Sequence, residues 1–277
     1  MVANGVQVVS YGIQMMEKLS RRSILRAGAA AALLPVGRVD AEEKSSEAQR
    51  KLKVVVVGGH FDDPQSCAGG TMALYADLGH EVVALSLTGG PPPNPDVVPQ
   101  DRQTKRHVEA IKSASILGAR LVCLNFSGSD SGMSGRPKVY RSGSELTGER
   151  YKEFTEVLLD YKPDIVITHW PIDFHMDHRA ASLLTYNAWL SSGMKFPLYY
   201  MEAELGQQTQ NFWPTHYVDF SRFEGRKREA CFANAVTIDE WWPIHDAMHR
   251  MRGMERGCKV AEAFNHHPQS PTEPSLP

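Results

Sequence analysis

The sequence predicts an α/β protein built on a mostly parallel sheet, with helices covering both faces. From Lys51 onward, short apolar runs alternate with segments whose apolar residues recur at helical spacing. Alternation of strand and helix at this spacing is typical of parallel sheets. The first apolar run contains four consecutive valines, residues 54–57. Four valines in a row cannot alternate between a buried and an exposed face, so this strand is buried on both sides.

The remaining elements follow in a regular order. The predicted strands are 53–58, 81–87, 120–125 and 164–168, and the predicted helices are 69–79, 102–117, 149–161 and 178–190. The second helix carries Ala110, Ala114 and Leu117 on one face and ends at Gly118, a residue that favours helix termini. Two further strand-like runs, 196–201 and 216–220, precede a charged helix, 221–233. No Gly-x-Gly-x-x-Gly follows the first strand, which argues against dinucleotide binding.

Composition limits the classes of partner. The chain has 277 residues, of which 42% are apolar, so we expect a soluble globular protein with one main domain. A net charge of −2 and a pI near 6.6 argue against nucleic acid as a partner. No apolar run approaches the ~18 residues that predict a membrane span. Four scattered cysteines form neither a zinc knuckle nor a disulfide framework: Cys67, Cys123, Cys231 and Cys258.

The two ends of the chain differ from its centre. Arg21-Arg22 precedes the Ala-rich run 27–34, and this pattern resembles a twin-arginine export signal over residues 1–41. A basic amphipathic helix is the alternative interpretation of that region. The pattern therefore predicts an exported protein, periplasmic or extracellular, with its domain over residues 42–265. Residues 266–277 are rich in proline and polar residues, so we expect a disordered tail.

Histidines and aspartates follow two of the predicted strands. His60 and Asp63 come directly after the first strand, and the segment 169–178 comes after the strand 164–168. Each cluster alone could be a solvated turn that caps the next helix. Because ligands of open α/β sheets bind at the carboxyl ends of the strands, two such clusters would converge on one crevice. Imidazole and carboxylate groups are a combination that suits zinc, so the sequence predicts a metal site there.

Both clusters resemble the signatures of one family. His60-Phe61-Asp62-Asp63-Pro64 with Gly69-Gly70-Thr71 resembles the His-Pro-Asp-Asp-Glu and Gly-Gly-Thr pattern of the PIG-L/LmbE-like de-N-acetylases. The segment 173–178 resembles that family's Asp-x-His-Pro-Asp-His, and the resemblance extends over residues 52–264. It implies a Rossmann-like three-layer sandwich. It also implies a zinc-dependent hydrolase that removes N-acetyl groups, mostly from amino sugars, so the expected partner is a small-molecule or glycan substrate.

The resemblance also implies roles for individual residues. Three match the family's zinc ligands: His60, Asp63 and His178. Two match its catalytic groups, a general base and an imidazole that stabilises the oxyanion: Asp62 and His175. Two carboxylates would orient the ligating imidazoles: Asp173 and Asp177. Two fall where the family places residues that bind sugar hydroxyls: Arg106 and Asp130.

Three residues depart from the family pattern. Phe61 and Met176 replace prolines, from which we expect altered loop stiffness, and Pro64 replaces the motif glutamate. Proline is favourable in the first turn of a helix, which offers a structural reason for Pro64. Because the motif glutamate is replaced, a sugar-binding protein without catalytic activity is one alternative interpretation. A mononuclear Fe(II) oxygenase, which also uses two histidines and a carboxylate, is a second alternative, although such sites usually sit on β-sandwiches.

One aromatic cluster has two interpretations. Residues 241–252 contain five side chains that could line a sugar pocket or cap the core, and the sequence favours the cap: Trp241, Trp242, His245, His249 and Arg252.

Overall fold

The computed structural model describes residues 50–89, 102–126, 146–234 and 238–277. The predicted export signal, residues 1–41, lies outside them, as do residues 42–49 and Asp130. None of the helices in these ranges combines the length and the apolar character needed to cross a lipid bilayer.

The described strands form one seven-stranded sheet. In chain order the strands are β1 Lys53–Gly58, β2 Glu81–Ser86, β3 Arg120–Cys123, β4 Ile165–His169, β5 Leu198–Met201, β6 His216–Asp219 and β7 Ala261–His266. The order across the sheet is β3-β2-β1-β4-β5-β7-β6. Neighbouring strands from β3 to β5 pair in parallel, whereas β7 pairs antiparallel with both β5 and β6. The predicted mostly parallel sheet is confirmed.

Helices cover both faces of this sheet. They are α1 Asp63–Asp77, α2 Arg102–Ile116, α3 Gly148–Asp160, α4 Met176–Ser191, α5 Glu224–Ala233 and α6 Ile238–Arg256. Val54 and Val56 pack with α1 and α5 on one face, while Val55 and Val57 pack with α3 and α4 on the other. All four valines are fully buried, as the unbroken run predicted. The three-layer arrangement is therefore confirmed, and the β-sandwich on which an Fe(II) oxygenase would usually be built is not the scaffold of this domain.

Helix α1 is broken at Ala68, whose φ of −132° and ψ of 16° are not helical. Its first part begins at Asp63 in the His60–Pro64 motif, with Pro64 in the first turn, and its second part begins where the sequence predicted the whole helix to begin. The new start leaves backbone N–H groups without helical partners. Glu262 of β7 accepts hydrogen bonds from the N–H groups of Gly70 and Thr71, both at 2.7 Å, and from the Thr71 hydroxyl at 2.6 Å.

The same carboxylate binds a buried lysine. Lys227 Nζ lies 2.6 Å from Glu262 Oε1, and both side chains are fully buried. Lys227 also donates to His249 Nε2 at 2.8 Å and lies 4.9 Å from the centre of the Phe220 ring. Burial and the neighbouring Lys227 charge lower the pKa of His249 well below its usual range, so the imidazole is neutral and can accept. This network joins β7, α1, α5 and α6.

Gly70 lets the Phe220 ring pack closely against α1 at its break. A Cβ added to Gly70 would lie 2.3 Å from the Phe220 ring, closer than any real contact allows. Gly70 is therefore required for the close approach of Phe220, next to the amides of Gly70 and Thr71 that Glu262 binds.

The last strand and the segment after it differ from the sequence prediction. No strand was predicted at 261–266, yet β7 lies inside the sheet between β5 and β6. The predicted disordered tail, residues 266–277, is packed instead. Ser270 is buried, the Tyr75 hydroxyl donates to the Ser275 carbonyl at 3.1 Å, and Leu276 packs on the core. Polar composition misled the prediction because a few specific contacts hold the segment.

We expect Lys227→Met to lower the free energy of unfolding by about 3–5 kcal/mol, because the Glu262 carboxylate would stay buried without its cation. Lys259→Met is the matched control, since Lys259 is 63% exposed where it pairs with Glu224, and it should change stability by less than about 1 kcal/mol. Urea denaturation of both variants measures the difference. Equal losses in the two variants would contradict this assignment.

Candidate metal centre

The site lies where the order of the sheet reverses. From β1 the chain proceeds to β2 and β3 on one side, and β4 and β5 continue on the other. Ligands of open α/β sheets bind at this switch point. His60 and Asp63 follow β1, His169 ends β4, and the segment 173–178 leads from β4 into α4. The fold therefore brings the two predicted clusters together.

One oxygen of Asp63 is the centre of the cluster. Asp63 Oδ2 accepts a hydrogen bond from the backbone N–H of His60 at 2.7 Å. It also lies 3.4 Å from His60 Nδ1, 3.0 Å from His169 Nε2 and 3.3 Å from His178 Nε2. Three imidazoles from two chain segments thus surround one buried carboxylate.

Two further carboxylates contact the opposite side of two of these rings. Asp177 Oδ2 lies 3.1 Å from His60 Nε2, and Asp173 Oδ1 lies 3.2 Å from His178 Nδ1. Each of these imidazoles therefore has one nitrogen toward Asp63 and the other toward an orienting carboxylate. A carboxylate behind an imidazole is the usual support of a metal-binding histidine, because it fixes the tautomer and the ring orientation.

Asp173 is itself held by a neighbouring loop. Its Oδ1 accepts a hydrogen bond from the backbone N–H of His175 at 2.7 Å, and its Oδ2 accepts one from the Thr209 hydroxyl at 3.1 Å. Asp173 and Thr209 also form an isolated antiparallel bridge. Backbone bonds from Phe174 to Gln208 and from Gln210 to Ile172, both at 2.9 Å, extend this contact. The segment after β4 is thus fixed by the segment after β5.

His175 caps α4 with its side chain. Its Nδ1 accepts from the Asp177 N–H at 3.2 Å, so a neutral ring carries its proton on Nε2. Burial, together with the positive charges of His60 and His178, lowers the pKa of His175 to about 4. The ring is therefore neutral near pH 7 and offers an N–H donor. Its centre lies 4.5 Å from the His60 ring and 4.8 Å from the His178 ring.

The electrostatics of the cluster favour a bound positive charge. Burial alone would lower the pKa of His60, but Asp63 and Asp177 raise it well above the usual range. Burial likewise opposes protonation of His178, yet Asp63 and Asp173 raise its pKa to about 9. Burial opposes ionisation of Asp63, but the three histidines hold its pKa well below the usual value. Excess buried carboxylate thus draws protons onto the imidazoles, and a divalent cation would satisfy the same charges.

The donor atoms fit a metal ion. Three sets of side chains place their donor atoms within 4.8 Å of one another: His60 with His175 and His178, Asp63 with His169 and His178, and His60 with Asp62 and Asp63. Together these sets contain all three predicted ligands. Imidazole and carboxylate donors at this spacing suit zinc.

Sequence reasoning missed two residues of the site. His169 is fully buried, and its ring stacks on His178 at 3.9 Å between centres. Its position as the last residue of β4 is the signal that could have found it. Glu204, which lies just past β5, is 5% exposed, and burial raises its pKa to about 7 while the charge of His178 opposes that rise. No motif in the sequence pointed to Glu204.

The two predicted sugar-binding residues have different outcomes. Arg106 Nη2 lies 4.0 Å from Asp62 Oδ2, so Arg106 reaches the site, whereas Asp130 lies outside the described residues. The Arg106 guanidinium lies 5.1 Å from the centre of the Phe61 ring, and the same ring stacks on His107 at 6.2 Å. Phe61, expected to alter only loop stiffness, therefore fastens the start of α2 to the motif.

Solved structures share the fold. Against a 4-carboxy-2-hydroxymuconate hydratase from Pseudomonas putida KT2440 the TM-score is 0.65, with 19% identity over 82% of this chain and 100% of that one. An N,N'-diacetylchitobiose deacetylase from Pyrococcus horikoshii gives a TM-score of 0.60 and 20% identity, with 80% of this chain and 87% of that chain covered. A deacetylase of the A40926 pseudoaglycone gives a TM-score of 0.57 and 19% identity, with 78% of this chain and 96% of that chain covered.

The sequence of the core domain matches a known family. Residues 55–189, which run from β1 to α4 and include every described ligand candidate, match the family model described as PIG-L, GlcNAc-PI de-N-acetylase. The match agrees with the Rossmann-like sheet and with the two motifs at its switch point. Residues 55–189 of this chain are therefore a PIG-L family domain of the de-N-acetylase type.

Proposed function

We propose that this protein is a zinc-dependent hydrolase that removes the acetyl group from an N-acetylated amino sugar or glycoconjugate. The observation that carries the proposal is the buried Asp63 carboxylate, which is surrounded by three imidazoles. Carboxylates behind two of those imidazoles support the same reading. The family match adds the reaction type.

Three side chains would hold the zinc ion: His60 through Nδ1, Asp63 through Oδ2 and His178 through Nε2. Two imidazoles and one carboxylate leave a coordination position for water or substrate, as catalytic zinc sites require. When bound, the ion supplies Lewis-acid chemistry, lowering the pKa of a water toward about 7 and polarising a carbonyl. Asp177 and Asp173 hold the two imidazoles in their ligating tautomers.

Asp62 is the general base of the proposed reaction. It lies beside Asp63 at the start of α1 and within 4.0 Å of Arg106. It accepts the proton of the attacking water, whose oxygen forms a bond to the acetyl carbon. The C–N bond then breaks, and the amine leaves with the proton that Asp62 returns to it.

His175 stabilises the charge that develops on the carbonyl oxygen. Its neutral ring carries the proton on Nε2, which can donate a hydrogen bond without a change of protonation state. A fixed donor aimed at a developing oxyanion is among the strongest contributions that an active site makes to catalysis.

The same fold supports other uses of an activated water, since one similar structure is named a hydratase. Acetate release separates amide hydrolysis from hydration, from sugar binding without turnover, and from oxygen-dependent chemistry. The decisive experiment assays acetate from a panel of N-acetylated sugars under anaerobic conditions. Failure to release acetate from any of them, in protein loaded with zinc, would contradict the proposal.

We expect one zinc ion per purified chain, and we expect His178→Ala to lose tight binding because it removes one of the three proposed ligands, a buried imidazole. Elemental analysis measures the metal content. His216→Ala, which changes a histidine on the edge strand β6, is the control and should keep its zinc. Full metal content in His178→Ala would remove this site from consideration.

We expect Asp62→Asn to retain its zinc and its fold while turnover falls by about 10²–10⁴, the usual value of general-base assistance. Metal analysis and acetate release are measured on the same preparation. Loss of zinc together with activity would make Asp62 a ligand. Normal turnover would show that another group is the base.

We also propose that residues 1–41 direct export through the twin-arginine route. Changing Arg21 and Arg22 to lysine should leave the protein in the cytoplasm, because that pair carries the resemblance to the signal. Arg26→Lys is the control and should be exported. Cell fractionation measures both variants, and equal export of the double variant and the control would refute the route.

A further inference from the structure

One imidazole of the metal centre has no role in the mechanism above. His169 is the last residue of β4, and its backbone pairs with Met201 of β5. Its side chain is fully buried. Because its backbone belongs to the sheet, the His169 ring has a fixed place beside the first turns of α1 and α4, which carry Asp63 and His178.

The Nε2 atom of His169 contacts the carboxylate at the centre of the cluster. It lies 3.0 Å from Asp63 Oδ2, which is the shortest of the three imidazole contacts of that oxygen. The backbone N–H of Gly59 points at the same Nε2 atom from 3.2 Å. One ring nitrogen cannot donate to Asp63 and accept from Gly59 at once. The contact with Asp63 is the shorter one and has an ionised acceptor, so the Nε2 proton is donated to Asp63.

The His169 ring also packs flat against a proposed zinc ligand. The centres of the His169 and His178 rings are 3.9 Å apart, and the two ring planes differ by 7°. The His175 ring stacks on His178 as well, with 4.8 Å between centres and an angle of 28°. The orientation of the His178 ring therefore depends on the rings packed against it.

The parallel stack prevents His169 and His178 from binding one ion together, although their donor atoms lie within 4.8 Å of each other. An imidazole binds zinc along the lone pair in its ring plane, with a Zn–N distance of about 2.0–2.1 Å. Rings in van der Waals contact have planes about 3.5 Å apart, so an ion midway between them would lie about 1.8 Å outside each plane. Such an ion is far from the lone-pair direction of both rings. Only one of the two rings can be a ligand.

The groups behind the two rings favour His178 as that ligand. The second nitrogen of a metal-binding histidine almost always has a carboxylate, a carbonyl or a water beside it. Asp173 Oδ1 lies 3.2 Å from His178 Nδ1, within the range of an ion pair although not aligned as a hydrogen bond. The buried Nδ1 atom of His169 has no hydrogen-bond partner in the described part of the chain. His169 thus lacks the support that a ligand has.

We propose that His169 is a positioning residue of the metal centre, which holds the Asp63 carboxylate and the His178 ring in place for zinc without binding the ion. The inference rests on the proposed function, because it concerns the zinc site that the proposed reaction uses. Asp63 Oδ2 is held from two sides, by the backbone N–H of His60 at 2.7 Å and by His169 Nε2 at 3.0 Å. The ligand oxygen therefore has a defined place before an ion binds.

Two substitutions separate the two contacts of His169. His169→Phe keeps a ring against His178 and removes the Nε2 donor, whereas His169→Gln supplies an amide N–H donor and removes the ring. The zinc affinity of each metal-free chain is measured by competition with a chromophoric chelator. His169→Phe should raise the zinc dissociation constant about 10–100-fold, as the loss of a group that supports a ligand usually does. His169→Gln should recover most of this loss, because it restores a donor to Asp63.

His267→Phe is the matched control. The His267 ring also stacks on an aromatic ring, that of Trp189, with 4.5 Å between centres. The other two rings near it are those of Tyr186 and Tyr200, and none of the three is a proposed ligand. The zinc affinity of this variant should equal that of the wild type.

Two spectra distinguish a positioning residue from a ligand and from a group that only stabilises the fold. X-ray absorption at the zinc edge counts the imidazoles bound to the ion, and this count should be the same in the wild type and in His169→Phe. Cobalt(II) in place of zinc reports the geometry of the ligands through its visible absorption bands. These bands should shift in His169→Phe and return in His169→Gln. A loss of stability alone would leave them unchanged.

Two results would overturn the proposal. An imidazole count that falls by one in either His169 variant would make His169 a ligand. Wild-type zinc affinity together with wild-type cobalt bands in His169→Phe would show that His169 does not position the site. If His169→Phe does not fold, His169→Leu, which removes both contacts, takes its place in the same measurements.

Zinc binding is measured without substrate, so these outcomes do not depend on acetate release. A wild type that binds zinc but releases no acetate contradicts the proposed hydrolysis, and the affinities of the His169 variants still decide the role of His169. A wild type that binds no zinc overturns both.

Discussion

The buried carboxylate of Glu262 is the interaction on which the rest of the domain depends. It comes from β7, yet it binds the amides of a helix that begins almost 200 residues earlier and the ammonium of Lys227 on a third element. Because it caps the second half of α1, the helix can break at Ala68. The break sets the direction of the first turn of α1, which carries Asp62, Asp63 and Gln65. A buried charge on β7 thus helps to position the His60–Pro64 motif.

The site repeats this use of buried charge at a smaller scale. Asp63, Asp173 and Asp177 are all buried, and imidazole nitrogens lie against each of them. A lysine or arginine would neutralise the carboxylates permanently. Imidazoles can exchange a proton for a metal ion at moderate cost, so the same side chains can balance the buried carboxylates with protons or with a cation.

The sequence was most informative where one segment carries its own signal. The four valines predicted β1, and the His and Asp residues after β1 and β4 predicted the switch-point site, because parallel strands put their carboxyl ends together. The predicted helix start at residue 69 coincides with the second part of α1, whereas the first part of that helix, which begins at Asp63, was not predicted.

Elements that depend on distant contacts were not predictable in this way. β7 contains Glu262, Asn265 and His266, which are polar residues that weaken a strand pattern. Glu262 and Asn265 are buried, and their partners come from distant parts of the chain: the amides at the break in α1, Lys227 of α5 and the Trp213 carbonyl. His169 looks like the end of an apolar run, and Glu204 lies in no motif. Their importance comes from neighbours that the fold supplies, such as the stacked His178 ring for His169. Local patterns carry no information about such partners.

The position of β7 also has a consequence for synthesis of the chain. β5 and β6 are made in succession, but the strand that joins them comes about 40 residues after β6. Until β7 emerges, the outer edge of β5 exposes unpaired backbone groups beside the apolar run Leu198–Met201. Open apolar edges recruit other strands, so the half-made domain is a target for wrong pairing and for chaperones until its last strand arrives.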